Sequence, residues 1–402
     1  MPLMKSWPQA AIALLAAGIS VLWMRFDLAF LKPLPPPTFE PYFTCDYHQA
    51  RALFRTHAAA AHAELHSIPY PLADMDLSID IAVLHGSNSS MVVHISGTHG
   101  VEGFAGSAIQ SAWLAAKANE ETRAKRPTIV LVHGLNPYGM AELRRVNENN
   151  VDLNRNHLTP AQFQAKRAES PDLHGYASAN ALLNPNYALE WYHLFYPSAL
   201  WHLAQHGYDQ TFRAIVSGTY YYAKGIYYGG HDLQPSHRLL RSFFESRFNL
   251  SSFLHVVFVD VHTGLGARGD DMLDFAATDS ISNNKAGYFQ AFNWTADAFW
   301  SSYNDTVGCG VEGYLDWFPT ATKGVAVTQE FGTVATLQVI AALRAENAMT
   351  HYAPSRRQHA AEALWDAFYL HDDAAWKWHV ARQGVELLTH VVSTLNVIDG
   401  VV

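Results

Sequence analysis

The sequence predicts an α/β fold with a mixed, mostly parallel central sheet that is covered by helices on both faces. Short runs rich in β-branched residues alternate with longer stretches of helical spacing along most of the chain. The 402 residues are enough for one large domain, and no internal repeat or further linker follows Pro41. Alternating strands and helices over such a length are typical of a sheet that is buried on both faces.

The individual elements follow from the same patterns. Strands are predicted at residues 79–84, 91–96, 128–133, 256–262 and 325–330. Helices are predicted at residues 104–119, 187–206, 235–247 and 334–349, and residues 355–394 predict one or two closing helices. In sheets of this kind, functional groups gather at the carboxyl ends of the strands, and the candidate residues described below follow predicted strands.

Composition excludes several classes of protein. The 27 Lys and Arg residues against 36 Asp and Glu residues give a net charge of −9, which argues against nucleic-acid binding because phosphates require a basic surface. Hydrophobic residues make up 49% of the chain, so it is not largely disordered. Cys45 and Cys309 could form one disulfide, but two cysteines cannot build a disulfide scaffold or a thiolate metal cage.

The N-terminal residues are predicted to lie outside the fold. An apolar run from Ala10 to Met24 makes residues 1–31 a signal peptide or a short signal anchor. Small-residue cleavage sites lie only inside that run, which favours the anchor. Residues 32–42 form a proline-rich, stiff linker, and residues 43–402 form the main domain.

This arrangement predicts a location in the secretory pathway. Lys5 favours a cytoplasmic N-terminus, so the main domain would be lumenal or extracellular. The protein would be bound to the membrane through an uncleaved N-terminal segment, or secreted after cleavage. Four N-glycosylation sequons agree with this prediction, at Asn88, Asn249, Asn293 and Asn304.

A His-x-x-Glu pair is the first candidate for chemistry. His99 and Glu102 follow a predicted strand after the short turn Gly97-Thr98, and a pair with this spacing at a helix start can face one metal ion. A second copy, His359 and Glu362, lies in an alanine-rich helical stretch with no strand leading into it, so we interpret it as a solvated helix face.

The first copy is accompanied by specific motifs in a fixed order: Asn136-Pro-Tyr-Gly139, Arg144-Arg-Val-Asn147, Asn150-Val-Asp-Leu-Asn-Arg-Asn156, Asp260-Val-His-Thr-Gly264 and Val327-Thr-Gln-Glu-Phe331. In this order they resemble the zinc carboxypeptidase superfamily, the carboxypeptidase A-like metallopeptidases. The resemblance extends from about Ala50 to Ala342. It is strongest to a branch with a Gly-Thr-His-Gly-Val-Glu-Gly signature, which occurs here at residues 97–103.

The resemblance implies a carboxypeptidase-like fold and one zinc ion. His99, Glu102 and His262 offer two nitrogens and a carboxylate, a common ligand set for catalytic zinc that leaves a position for water. Asp260 lies two residues before His262, so on a strand the side chains of these two residues would point to the same face. It could orient the metal site or form a structural salt bridge.

The resemblance also assigns the remaining roles. Glu330 would be the general base, and Arg145 would stabilise the oxyanion. Asn154 and Arg155 would hold the terminal carboxylate of the substrate, because a guanidinium offers paired hydrogen bonds. Val101 stands where some digestive carboxypeptidases carry a further arginine. A tyrosine that caps the substrate is also expected, and Tyr314 and Tyr303 are both candidates.

Residues 157–237 have no obvious counterpart in short carboxypeptidases. Aromatic residues at helical spacing between Tyr187 and Trp201 are expected in the core. The tyrosines between Gly218 and Gly230 are expected to form a loop wall near the cleft, because glycines permit a tight irregular path.

Three functions remain open from the sequence. The first is a zinc-dependent hydrolase that cleaves a C-terminal peptide bond. The second is an aminoacylase or deacylase of small N-acyl amino acids, because related acylases share the ligands and the Asn-Arg pair. Both would act on a substrate with a free carboxylate. The third is an inactive, membrane-anchored binding domain. Loss of a metal ligand or of the base would have favoured it, but all of those positions are filled.

Overall fold

A seven-stranded sheet organises the described part of the chain. The computed structural model describes residues 38–87, 89–118, 126–189, 195–275, 292 and 307–400. The predicted signal segment at residues 1–31, most of the linker, Tyr303 and the sequons at Asn88, Asn293 and Asn304 therefore lie outside the described residues. Within these ranges no helix is both long and apolar enough to span a membrane.

The strands are β1 (Glu64–Pro69), β2 (Ser78–Leu84), β3 (Ser90–Ile95), β4 (Thr128–His133), β5 (His255–Arg268), β6 (Asp271–Phe275) and β7 (Lys323–Gly332). Their order in the sheet is β1-β2-β4-β3-β5-β7-β6. The central strands β4, β3, β5 and β7 are parallel, whereas β1, β2 and β6 join by antiparallel pairing. The predicted mixed α/β sheet with a parallel centre is therefore confirmed.

The helices described are α1 (Tyr47–Ala60), α2 (Gly103–Lys117), α3 (Pro137–Ala141), α4 (Pro160–Ala168), α5 (Tyr176–Leu183), α6 (Phe195–His206), α7 (Tyr208–Val216), α8 (Pro235–Arg247), α9 (Gly310–Gly313), α10 (Thr336–Tyr352), α11 (Gln358–Phe368) and α12 (Ala374–Ile398). Short 3₁₀ turns lie at Glu40–Tyr42, Leu153–Arg155, Leu250–Ser252, Tyr314–Trp317 and Pro354–Arg356.

Helices cover both faces of the sheet. Successive strand residues enter two different core clusters, because side chains of a strand alternate between its faces. On β3, for example, Met91 and Val93 pack on one face and Val92 on the other. Helix α8 contributes to the first cluster, and the C-terminal half of α12 to the second. A sheet that is buried on both faces explains the nearly continuous apolar runs of its central strands.

The five predicted strands are present, but two edge strands were not predicted. Strand β1 is mostly exposed and carries Glu64 and His66, so it lacks the apolar run that marks the central strands. Strand β6 is short, and among the described residues it pairs with β7. The predicted helix at 187–206 begins only at Phe195 in the described residues, and 190–194 lie outside them. The closing segment forms the two helices α11 and α12.

The loops after β3 and β4 are packed directly against each other. A Cβ on Gly100 would lie 2.0–2.4 Å from backbone atoms of Gly139 and Arg144, so only glycine fits between His99 and the second loop. Gly100 and Val101 donate backbone hydrogen bonds to the carbonyls of Arg145 and Arg144. The two loops therefore form one support for the residues at the carboxyl ends of the strands.

Two further predictions are answered by the fold. The described residues contain no disulfide, with Cys45 exposed and Cys309 half-buried. His359 and Glu362 are exposed on α11, as the interpretation of a solvated helix face predicted. Asn249, the sequon asparagine within the described residues, is also exposed.

Candidate metal centre

His99, Glu102 and His262 converge beyond the carboxyl end of β3, where β5 continues past its last residue paired with β3, Asp260. The turn at Gly97, with φ of +74°, carries the chain from β3 to His99, and Glu102 lies directly before α2. Nδ1 of His99 lies 3.0 Å from Nδ1 of His262 and 3.0 Å from Oε1 of Glu102. Nδ1 of His262 lies 3.3 Å from Oε2 of Glu102. One ligand atom from each side chain thus lies within 4.8 Å of the others.

A carboxylate faces the far side of each histidine ring. Nε2 of His99 lies 2.8 Å from Oδ1 of Asp152. Nε2 of His262 lies 3.1 Å from Oδ2 of Asp260, although without hydrogen-bond geometry. Asp260 also accepts hydrogen bonds of 2.8 and 3.0 Å from the hydroxyl of Thr98. A carboxylate at the outer nitrogen holds the proton there and leaves the inner nitrogen as a metal ligand.

The donor set fits a divalent metal ion. If each ring keeps its proton at Nε2, two Nδ1 lone pairs face each other at 3.0 Å beside a carboxylate, and a cation between them removes that repulsion. Burial lowers the pKa of His262, but the carboxylates of Asp260 and Glu102 outweigh it and hold this pKa well above its usual value. Both observations indicate a buried site of negative potential, in which two nitrogens and one carboxylate oxygen could bind the ion.

Glu330 lies beside this group on the neighbouring strand. Strands β5 and β7 pair with His262 opposite Glu330. Oε1 of Glu330 accepts a hydrogen bond of 2.8 Å from the backbone N–H of Leu265. Burial and the nearby charge of Glu102 raise the pKa of Glu330 to about 8, although His262, Leu265 and Arg145 act in the opposite direction. A carboxylate with a raised pKa can accept a proton near neutral pH.

Arg145 reaches the same centre from the second loop. Its Nη1 donates to Oε1 of Glu102 at 2.6 Å, and its Nε donates to Oδ2 of Asp152 at 3.3 Å. The charges of Asp152 and Glu102 raise the pKa of Arg145 above its ordinary value despite its burial. The structure thus brings together all three predicted metal ligands, the predicted base and the predicted oxyanion residue.

Asn154 and Arg155 lie next to this group but already have partners. Oδ1 of Asn154 accepts from the backbone N–H of Gly310 at 3.1 Å. Nε and Nη2 of Arg155 donate to the carbonyl of Val216 at 2.9 and 2.6 Å, and Nη1 donates to the carbonyl of Asn154 at 2.8 Å. The Nε–Nη2 edge of Arg155 is therefore occupied by backbone, and a carboxylate would have to use the remaining N–H groups.

Tyr314 lies in the core rather than at the entrance of a cleft. Its side chain is fully buried, with the ring stacked 5.3 Å from that of Phe258. This packing differs from the predicted capping role, in which the ring would lie at the entrance of a cleft. The other candidate, Tyr303, lies outside the described residues.

The segment between Gly218 and Gly230 forms a wall beside the site, as the sequence predicted. The backbone N–H of Asp152 donates to the carbonyl of Tyr228 at 2.7 Å, and Nδ2 of Asn156 donates to the carbonyl of Gly229 at 2.8 Å. The aromatic residues between Tyr187 and Trp201 only partly follow the prediction of a core position, and Tyr187 itself is exposed. Phe195 is buried, but Tyr196 and Trp201 are exposed, and Trp191 and Tyr192 lie outside the described residues.

Asp152 is the site residue that sequence reasoning did not assign. It is completely buried and contacts both His99 and Arg145. The charges of these two residues overcome the effect of burial and hold the pKa of Asp152 well below its usual range. The available signal was its place within the Asp-Leu-Asn-Arg-Asn motif, where only Asn154 and Arg155 received a role.

A comparison with protein-family models identifies one family. The model described as "Protein of unknown function (DUF2817)" matches residues 43–383. The chain belongs to the DUF2817 family. A search of curated proteins found no match.

This DUF2817 chain is also similar to solved structures at low identity. Carboxypeptidase A from Helicoverpa armigera has 12% identity and a TM-score of 0.42, with 83% of this chain and 73% of that chain covered. A metallo-carboxypeptidase from Burkholderia cenocepacia has 12% identity and a TM-score of 0.40, with 81% and 70% covered. Bovine thrombin-activatable fibrinolysis inhibitor has 10% identity and a TM-score of 0.42, with 85% and 99% covered. The function proposed below rests on the geometry of the site.

The contact between His99 and Asp152 generates a prediction about metal affinity. Asp152→Asn should weaken Zn²⁺ binding by about 10–100-fold, because an amide holds the proton on Nε2 less firmly than a carboxylate does. Competition with a chelator of known affinity would measure this change. Asp74→Asn, at an exposed position, is the control. Equal Zn²⁺ affinity of the two variants would show that Asp152 does not orient His99 for metal binding.

Proposed function

We propose that this DUF2817 protein is a zinc-dependent hydrolase that cleaves the C-terminal amide bond of a peptide. The observation that supports this proposal is the convergence of His99, Glu102 and His262 with Glu330 beside them. Two histidines and one carboxylate are a ligand set of catalytic zinc sites. Zinc in such a site lowers the pKa of a water molecule to about 7 and polarises a carbonyl group.

Glu330 is the proposed general base. It lies at the level of His262 on the next strand, so its carboxylate borders the metal ligands. In the proposed reaction Glu330 takes a proton from the attacking water and passes it to the leaving nitrogen. Its raised pKa suits both steps, since a base must gain and return a proton near neutral pH.

Arg145 is the proposed residue for oxyanion stabilisation. Its guanidinium lies at the centre and is fixed by the carboxylates of Glu102 and Asp152. A positive charge that is held in place before the reaction stabilises the developing negative charge without reorganisation. Arg145 therefore contributes most when the carbonyl of the substrate becomes tetrahedral.

Deacylation of small N-acyl amino acids is the second candidate, and the depth of the site favours it. Exposure is 1% for His99, 1% for Glu102, 2% for His262 and 6% for Glu330. A centre this enclosed is more easily reached by a small molecule than by the end of a folded protein. The same ligands and base would serve both reactions.

A comparison of substrates tests the proposal. The zinc-loaded protein should hydrolyse a peptide with a free C-terminal carboxylate faster than the N-acyl amino acid derived from its last residue. The proposed role of Arg155 and Asn154 further requires a strong preference for the free acid over the amidated peptide. Faster hydrolysis of the N-acyl amino acid would select the second candidate. Equal rates for free and amidated peptides would remove Arg155 from carboxylate recognition, consistent with its bonds to Val216.

The role of Glu330 generates a separate prediction. Glu330→Gln should retain zinc and lose about 10²–10⁴-fold in kcat, because the amide cannot accept the proton. Its oxygen can still accept the hydrogen bond from Leu265, so the local structure is expected to persist. Glu362→Gln, from the exposed second His-x-x-Glu pair, is the matched control and should leave kcat unchanged. Near-wild-type turnover by zinc-replete Glu330→Gln would exclude Glu330 as the base.

A further inference from the structure

Two arginine side chains at the site share one aromatic ring. The guanidinium carbon of Arg145 lies 5.0 Å from the centroid of the Tyr227 ring, and that of Arg155 lies 5.6 Å from it. Both distances are within the range of cation–π interactions. Tyr227 belongs to the wall between Gly218 and Gly230 and received no individual role from its sequence.

The backbone of Tyr227 adopts an unusual conformation. Its φ of +56° is in the left-handed region, which is sterically unfavourable for a non-glycine residue. Such residues persist where the surrounding structure determines them, and they are frequent at functional sites. The carbonyl of Tyr227 accepts from the backbone N–H of Thr219 at 3.1 Å. A Cβ on Gly218 would lie 2.5 Å from that carbonyl, so glycine is required there.

Further hydrogen bonds hold the flanking residues of Tyr227. The hydroxyl of Tyr176 donates to the carbonyl of Ile226 at 2.6 Å. The carbonyl of Tyr228 accepts from Asp152, the same residue that contacts His99 and Arg145. The loop that presents the ring is therefore bonded directly to the candidate metal centre.

Arg155 binds residues at and just before the N-terminal end of the wall. Its side chain donates to the carbonyl of Val216, and its own carbonyl accepts from the hydroxyl of Tyr220 at 2.6 Å. Arg155 thus fixes the position of the wall, whereas Arg145 is the arginine that contacts Glu102. The ring of Tyr227 links the two.

We propose that Tyr227 is a positioning residue that holds the guanidinium of Arg145 in place for oxyanion stabilisation. Ionic contacts to Glu102 and Asp152 fix one part of the guanidinium, and the flat ring restricts the orientation of its plane. The ring of Phe368 also lies 5.8 Å from the guanidinium carbon of Arg145, so Tyr227 supplies the nearer of two aromatic contacts. Without the ring of Tyr227 the guanidinium would gain freedom to turn toward other nearby carboxylates, which include Glu330. This inference rests on the proposed hydrolase function, because it needs a reaction in which Arg145 acts.

The test compares Tyr227→Asn with Tyr227→Phe. Asparagine tolerates the left-handed backbone but removes the ring, whereas phenylalanine keeps the ring and removes the hydroxyl. Tyr227→Asn should lower kcat by about tenfold or more while KM and zinc content stay close to wild type, because misplacing one stabilising group affects the transition state. Tyr227→Phe should retain most of the kcat. Tyr221→Asn, an exposed tyrosine of the same wall, is the control and should resemble wild type.

A labelling experiment gives a readout that needs no turnover. Phenylglyoxal modifies accessible guanidinium groups, and mass spectrometry of the peptide that contains Arg145 follows its modification. Arg145 should be modified faster in Tyr227→Asn than in wild type, Tyr227→Phe or Tyr221→Asn. If wild-type protein hydrolyses none of the substrates, the proposed function fails, and the labelling rates alone decide whether Tyr227 holds Arg145.

Several outcomes would overturn the positioning role. One is equal loss of kcat in Tyr227→Phe and Tyr227→Asn, which would assign the effect to the hydroxyl. Another is wild-type kcat or unchanged labelling of Arg145 in Tyr227→Asn. If Tyr227→Asn does not fold, Tyr227→Gly replaces it, because glycine adopts a positive φ freely. Failure of both variants to fold would make the ring a core residue and also contradict the proposal.

Discussion

The close approach of two histidine rings beside a buried carboxylate is the constraint on which the site depends. Nδ1 atoms of His99 and His262 face each other at 3.0 Å, and both lie near the oxygens of Glu102. Buried charged groups are stable only when they are paired or bind a metal. Asp152 and Asp260 behind the rings add further negative charge, so a divalent cation at the centre would balance the group. The carboxylates of Glu102 and Asp152 also bind Arg145, and burial together with the charge of Glu102 raises the pKa of Glu330.

The wall between Gly218 and Gly230 extends this network beyond the sheet. Its backbone accepts hydrogen bonds from Asp152 and Asn156. Arg155 donates to the carbonyl of Val216, the last residue of the helix that precedes the wall. The ring of Tyr227 then contacts Arg145 from this wall. Residues far apart in the sequence thereby depend on each other for position. The segment 157–237 contributes directly to the candidate site rather than only to the surface.

The sequence predicted much of the fold and the inner part of the site. The central strands are buried on both faces, so their apolar runs are strong signals. His99, His262 and Glu330 were singled out by motifs in or after predicted strands together with the family resemblance that those motifs carry. Edge strand β1 was not predicted because its exposed residues give no such run. The contact of His99 with Asp152 was not predicted, because the Asp-Leu-Asn-Arg-Asn motif was given roles only at Asn154 and Arg155, and the fold brings Asp152 to the outer nitrogen of His99. Tyr314 and Arg155 received roles by resemblance, and those roles depend on packing that a motif does not specify.

The identity of the metal ligands is the central claim, and zinc X-ray absorption of the purified full-length protein tests it most directly. Elemental analysis should give one zinc per chain, and the spectrum should show two imidazole nitrogens and carboxylate or water oxygen at about 2.0–2.2 Å from the zinc. His262→Ala should lose one imidazole contribution or the zinc itself. A spectrum with sulfur ligands, or an unchanged spectrum in His262→Ala, would contradict the assignment of His99, Glu102 and His262 as the metal centre.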